Sequence, residues 1–378
     1  METELGYSRI RNHPIDLGRT MAPVSANFAQ HMKDGLTMLA HSRDLAQVMK
    51  SHRFLGTSED KSAASDWIGR RLRSIPPEDR IIVTGGTQST LLVLLPFAAG
   101  QQKTILTENL TYLAIRPLAR LLGLQVVGVE LDDDGILPDS LAKACRRTSA
   151  RVLYTNPTVH NPTGRTMSLK RRKEIVAVVR EHGVTVIEDD VQGVIVEDAP
   201  AAIADLAPER TWYIMSVTKS LAMGLRIAYV VAPTSTDLSD LIRPLRSVSS
   251  WYPSPLSAAV VAHWHQTGQT LEILHAIKAE TVRRQAFVAS ILRGLDYYTN
   301  KHGLHLWLEL PAQWPADLFV AECLASGVDI RAAGHFAVDG SNPNAVRISI
   351  GGPPTSQDLE TGLNILVSVL QQRPRPAS

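Results

Sequence analysis

From Ile81 to Val231 the chain alternates short apolar runs, rich in β-branched residues, with longer amphipathic stretches, and this alternation restricts the fold more than any other feature. Apolar runs without strict in-and-out alternation are strands covered on both faces, and the spacing between them is helical. The pattern predicts a doubly wound, mostly parallel α/β sheet. Its strands are expected at 81–84, 104–106, 126–130, 152–155, 185–188, 213–216 and 227–231, with helices at 87–98, 114–122, 137–146 and 168–182.

After Ala232 the character changes. A proline-punctuated WYPSPLS at 251–257 leads into long helical segments, followed by strands around 305–310 and 346–350, which reads as a second, smaller α+β lobe reached through a long helix near 256–291. The expected division is an N-terminal segment, 1–45, returning to the small lobe, a large domain at 46–250 and a small domain at 251–378. The tail QQRPRPAS is expected to be disordered.

Composition matters here for what it excludes. With 44% apolar and 20% charged residues the chain is a core former, and a formal charge of +2 gives no chain-wide attraction for nucleic acid or anionic membrane. Cys145 and Cys323 can build neither a disulfide framework nor a paired zinc site, which points to the cytoplasm. The charged start METELGYSRIRNH lacks an apolar export core, and the most apolar run, 91–99, is half a bilayer span. No membrane or nucleic-acid partner is therefore expected.

Chemistry gathers at the expected strand ends. Lys219, in SVTKSLAMGLRIAY, follows a buried strand, with the hydroxyls of Ser216 and Thr218 before it and Arg226 after it. A partly desolvated amine can condense with an aldehyde, and hydroxyls with an arginine suit a phosphate. Taken alone, such a lysine is more often a surface residue. In IIVTGGTQST a strand runs through Gly85 and Gly86 into a helix starting near Thr87, so free backbone N–H groups and the helix dipole converge on one anion-binding point. Neither nucleotide-binding glycine fingerprint is present. In VIEDDVQG the carboxylates Glu188, Asp189 and Asp190 end an apolar strand, where open sheets bind ligands, and one of them should face a cation. Asn161, before Pro162 in HNPTG, either caps its own turn or holds a ligand oxygen.

The set SVTKSLAMGLRIAY, HNPTG, VIEDD, TGGTQ and NAVRISI resembles the fold-type I pyridoxal-phosphate enzymes, in particular the branch shared by MocR-type regulators and the kynurenine or α-aminoadipate aminotransferases. The resemblance runs from about Ile15 to the last helix and implies a sheet of seven strands, pyridoxal 5'-phosphate as cofactor, and transfer of an amino group between an α-amino acid and a 2-oxo acid. It also implies a homodimer, which Trp251, Tyr252 and Pro253 would suit. By this resemblance Lys219 is the Schiff-base lysine, Asp189 the partner of the ring nitrogen and Asn161 the donor to the ring's phenolic oxygen. Tyr112 stacks on the ring; Gly86, Thr87, Gln88, Ser216, Thr218 and Arg226 surround the phosphate; Arg347 clamps the substrate carboxylate.

Two positions depart from the family pattern. Where relatives carry a tyrosine after the ring aspartate, this chain has Val191 and Gln192, and the Gln192 amide is expected to take over the bond to the phenolic oxygen. The usual proline before Tyr112 is Leu110. The same ring, lysine and aspartate also serve elimination, decarboxylation and oxidation, so these stay open beside transamination. A MocR-type regulator needs a DNA-binding domain, for which the residues before Ile15 are expected to be too few. The basic run LKRRK at 169–173 reads as a solvated helix face, and the pairs His263/His265 and His302/His305 as packing residues without metal-ligand spacing; no metal is expected.

Overall fold

The runs IIVT at Ile81–Thr84, VLYT at Val152–Thr155 and TWYIMS at Thr211–Ser216 contain no exposed position. Side chains that leave water on both faces of a strand each contribute about 1.5–3 kcal/mol, which is why these runs must lie inside a sheet covered twice over. The computed structural model describes residues 14–50, 52–249 and 251–372; the start of the chain and residues 373–378 of the tail lie outside them. Within these residues the large lobe is built on a seven-stranded sheet whose spatial order is Ile81–Thr84, Ala228–Val231, Thr211–Ser216, Thr185–Asp189, Val152–Thr155, Thr104–Glu108, Gln125–Val129. Only Ala228–Val231 runs antiparallel to its neighbours. Helices Thr87–Ala99, Ile115–Leu121, Pro138–Thr148 and Leu169–Glu181 form the crossovers.

Chain order reverses in space between Thr104–Glu108 and Val152–Thr155, because the strand after Glu108 is laid on the outer edge before the chain returns to the inner side. Such a reversal opens a crevice at the carboxyl ends of the strands. The segments that carry Thr87, Tyr112, Asn161, Asp189 and Lys219 leave their strands at that end, whereas Arg347 comes from the small-lobe sheet.

The small lobe carries a four-stranded antiparallel sheet, in the order Tyr297–Thr299, His305–Glu309, Ala345–Ser349, Arg331–Ala332. Helices Ala316–Ala325 and Ser356–Gln371 pack on it through Phe319, Leu363 and Leu366. Ile15–Asp16 pairs in parallel with Val328–Asp329, and Leu17 enters the same core.

Three expectations about organisation are corrected. Helix Phe28–His41 does not pack on the small lobe: it lies on helix Pro255–Gln266, where Trp264 stands edge-on to Phe28 and donates to the His31 carbonyl at 2.9 Å. The helix Pro255–Gln266 shares a core with Ile81, Val83 and Tyr213 and so belongs to the large lobe. The single connecting helix is two helices, broken at Gly268 with φ +80°. The second, Gln269–Ile291, spans both lobes, placing Ile273 and Ile277 in the large core and Val288 in the small one.

Trp251, expected at a subunit interface, is 1% exposed and packs within the chain against Phe54 and Tyr252. The basic run is likewise more than a solvated face. Arg172 is fully buried, faces Glu188 at 3.6 Å and donates to the carbonyls of Met167, Ala201 and Pro157. Arg171 holds Asp132 at 2.9 Å. Among the described residues no helix is long and apolar enough to cross a membrane, and no cluster of His, Cys, Asp and Glu has the makings of a metal site.

Candidate active site

The three consecutive carboxylates of IEDD separate into three environments. Glu188 turns to Arg172 and accepts the backbone N–H groups of Ile203 and Ala204 at 3.0 and 2.8 Å. Asp190 pairs with buried Arg71 at 2.8 Å and accepts the Tyr213 hydroxyl at 3.0 Å. Asp189 alone faces the crevice, where strand alternation sends it away from Glu188. Its Oδ2 accepts the Tyr154 hydroxyl at 2.7 Å, while Oδ1 is buried without a partner. Burial pushes this carboxyl up to about 7; the Tyr154 bond works against that, Asp190 adds to it, and Lys219 opposes it.

Lys219 reaches the same crevice from the turn that follows Thr211–Ser216. Burial, then the nearby Arg347 and Arg226, push its amine down to about 8, with Asp189 pulling the other way. Its Nζ donates to the carbonyl of Thr20. Thr218 lines the cavity beside it.

At the head of helix Thr87–Ala99 no side chain caps the free N–H groups, and Gly86 has φ +102°. A Cβ there would lie 3.3 Å from Nη2 of Arg226, so the guanidinium sits directly over the helix start. Thr87 Oγ1 is buried without a partner and faces the cavity. Gln88 donates at 2.9 Å to the Tyr112 hydroxyl and so orients that ring. Burial raises the Tyr112 phenol, keeping it neutral.

Arg347, on Ala345–Ser349, donates through Nη1 to Asn161 Oδ1 at 2.7 Å and through Nη2 to the carbonyl of Gly18, and it lies over the Phe336 ring at 4.7 Å. Burial and then neighbouring Arg331 lower its guanidinium to about 10. Asn161 is held in place by its own N–H, which donates to Asn156 Oδ1 at 2.9 Å. The cavity these groups line measures about 400 Å³.

Two side chains expected at the cofactor have partners within the protein. Ser216 Oγ is fully buried, 3.0 Å from the Ile227 carbonyl and 3.1 Å from Thr218 Oγ1; it braces the lysine turn rather than facing the cavity. Gln192 borders the cavity, but its amide oxygen accepts the Leu304 N–H at 3.1 Å and its nitrogen lies 3.5 Å from the Val159 carbonyl. That amide ties the turn after Asp189 to the backbone before His305–Glu309.

Four contributors escaped the sequence reading. Tyr154 and Asn156 carry no local signal, since a tyrosine inside an apolar strand reads as packing. Glu108 accepts from Thr155 Oγ1 at 2.6 Å, Asn156 N at 3.2 Å, Thr107 Oγ1 at 3.0 Å and Thr111 Oγ1 at 3.3 Å, tying the Tyr112 loop to the Asn156 loop. A glutamate closing a buried strand was the available signal. The Gly18–Thr20 segment reaches the cavity only through tertiary folding.

Pyridoxal phosphate fits these residues on two observations. Oδ1 of Asp189 is a lone buried acceptor suited to a protonated ring nitrogen, and Oγ1 of Thr87 is a lone buried hydroxyl at a helix start suited to a phosphate. Lys219 lines the same cavity and carries an amine of the kind that condenses with an aldehyde.

The sequence model of aminotransferase class I and II matches residues 26–366. The uncharacterised HTH-type transcriptional regulator YdeF of Bacillus subtilis (strain 168) is 31% identical over 293 residues, covering 77% of this chain and 63% of the regulator. The 2-aminoadipate transaminase of Thermus thermophilus is 27% identical over 299 residues, covering 76% of this chain and 73% of the transaminase. In solved structures, an archaeal alanine:glyoxylate aminotransferase superposes with a TM-score of 0.84 at 20% identity, over 95% of this chain and 91% of that one. The α-aminoadipate aminotransferase LysN of Thermus thermophilus gives 0.82 at 22% identity, over 97% and 95%. At these identities the superpositions show the fold. The chain spans less than two thirds of the length of YdeF and of two further regulators of that kind from the same organism.

Proposed function

The chain belongs to the class I and II aminotransferases, and from that premise we propose that it uses pyridoxal phosphate to move an amino group between an α-amino acid and a 2-oxo acid. The observation that carries this reading is the pairing, in one cavity, of a lysine amine lowered to about 8 with a buried aspartate whose Oδ1 has no protein partner. Bound there, the cofactor would supply an electron sink for the substrate Cα.

The chain's own residues do the rest. Asp189 keeps a ring nitrogen charged, Tyr112 packs against the ring, and Asn161 holds a ring oxygen. Thr87, Arg226 and the free N–H groups of the helix start hold the phosphate. Arg347 takes the substrate carboxylate on its planar fork. The Lys219 amine, neutral above about pH 8, removes the proton from the substrate Cα as general base. Gly18 and Thr20 release Arg347 and Lys219 when ligands take their place.

A second reading follows from YdeF, a transcriptional regulator by name: the same cavity would hold cofactor and an amino-acid effector without turnover. We place the protein in the cytoplasm as a homodimer that binds neither nucleic acid nor membrane in this region; light scattering checks the dimer. Two free, buried cysteines suit that compartment.

The test is to load the purified protein with cofactor, add single amino acids without any 2-oxo acid, and measure what is released. One equivalent of 2-oxo acid per cofactor, stopping until a second 2-oxo acid is supplied, is the result expected. Continuous ammonia release replaces transamination by elimination or oxidation, and no release with any amino acid favours effector sensing.

A further inference from the structure

A guanidinium that is to receive a ligand's carboxylate must be fixed without being neutralised, because a protein carboxylate on its fork would occupy the donors and cancel the charge. Arg347 meets that condition. It is 2% exposed, and the groups that hold it are uncharged: the side-chain oxygen of Asn161 on Nη1 at 2.7 Å, the Gly18 carbonyl on Nη2, and the ring of Phe336, whose centre lies 4.7 Å from the guanidinium carbon. Its Nε is buried with no partner among the described residues. Two of these holds sit on donors that a carboxylate would use. The ring takes the flat face and competes for none of them.

Phe336 is itself fixed from both lobes. It follows the turn Ala333–His335, is fully buried, and packs with Trp307, Ala333 and Ala345, with Leu110 of the large lobe against them. Its carbonyl accepts the Thr111 N–H at 3.0 Å. Leu110 pairs with Ala337 in an isolated antiparallel bridge, the Val338 N–H donates to the Asn109 carbonyl at 2.9 Å, and Arg116 Nη1 donates to the Ala337 carbonyl at 2.9 Å. Residues 336–338 are thus laid along 109–111, the segment that leads directly into Tyr112. One residue has its backbone on the Tyr112 loop and its ring under Arg347.

We propose that Phe336 is a positioning residue for the carboxylate site: its ring holds the charged guanidinium of Arg347 in the plane that a ligand carboxylate meets, in register with the Tyr112 loop. A cation over an aromatic face is attracted by the ring quadrupole and keeps its charge. When a carboxylate displaces the Gly18 carbonyl, the ring contact persists, so the fork is already ordered and binding is spared that cost. The proposal rests on the reading of Arg347 as the carboxylate-binding residue, not on transfer of an amino group. The ordinary alternative is a phenylalanine that only fills the core beside Trp307.

Butyrate, an unreactive carboxylate, titrated calorimetrically into cofactor-loaded protein, separates the two. Phe336→Leu keeps an apolar filler without a ring face and should bind butyrate about three- to tenfold more weakly, the scale of ordering one long side chain on binding. Its affinity for pyridoxal phosphate, measured by dialysis, should not change. A trifluorinated phenylalanine placed at the same position keeps the shape of the ring but withdraws electron density from its face; it should weaken butyrate too, with the urea midpoint unmoved. Normal butyrate binding by the fluorinated variant overturns the proposal, and so does a Phe336→Leu variant that loses cofactor and butyrate alike. Should Phe336→Leu not fold, the fluorinated ring alone decides. Failure of wild type to bind butyrate removes Arg347 from the carboxylate, and the proposal with it. A 2-oxo acid released by a wild type whose fluorinated variant binds butyrate normally keeps the transaminase reading and sinks the proposal. Fluorine-sensitive butyrate binding with no 2-oxo acid released from any amino acid does the reverse.

Discussion

The hydroxyl of Tyr154 donates to Oδ2 of Asp189 at 2.7 Å across two neighbouring strands, and the other carboxylate oxygen is left without a partner at the cavity wall. One bond thus decides which way the carboxylate faces.

Tyr154→Phe removes that bond without changing the ring. Losing one hydrogen bond to a charged group costs about 1.5–3 kcal/mol, so the variant should hold pyridoxal phosphate at least about tenfold more weakly. Equilibrium dialysis against free cofactor measures this; unchanged affinity would show that Asp189 is aimed by its strand alone.

Loading of the apoprotein should depend on pH through Lys219. Its amine sits at about 8 instead of the ordinary 10.5, and only the neutral amine attacks an aldehyde. The rate of covalent attachment, trapped by borohydride, should therefore rise with pH and reach half its maximum near pH 8. Lys219→Ala should trap nothing at any pH. A midpoint near the ordinary value would mean that burial does not lower the amine.

The pair Arg172–Glu188 lies behind the site with both side chains fully buried. Arg172→Met leaves a carboxylate with neither its cation nor water and should cost about 3–5 kcal/mol. Arg172→Met with Glu188→Gln should recover most of it, as read from urea unfolding midpoints. Additive losses in the double variant would contradict the coupling.

Gln192→Ala strips the buried Leu304 N–H of its acceptor, and an unsatisfied buried donor costs about 1–3 kcal/mol. The urea midpoint should fall accordingly. The absorbance of bound cofactor against pH should superimpose on wild type, because the amide is committed to the backbone. A displaced titration would restore the sequence-based expectation that Gln192 bonds the ring oxygen.

The alternation of apolar runs located all seven strands of the large sheet to within a few residues, because burial on both faces leaves a run no choice of composition. Lys219, Asp189, Thr87, Tyr112, Asn161, Arg226 and Arg347 were also legible, each marked by a short motif, and the fold brings them to one cavity. Gln192 and Ser216, expected at the cofactor, each have protein partners that no motif announces. A side chain's type tells what it can bond, but its neighbours decide what it does bond, and Leu304 lies 112 residues from Gln192.

The sequence by itself thus determined the doubly wound sheet, the lobed organisation and the residue types of the site, since periodicity and motif chemistry are local properties. Only the tertiary structure decided how Glu188 and Asp190 are paired behind Asp189, that Arg172 is buried, that Gly18 and Thr20 cap Arg347 and Lys219, and that Arg331 stands beside Arg347. Those are relations between chain segments, set by strand register and by how the lobes close on each other, and no local pattern encodes them.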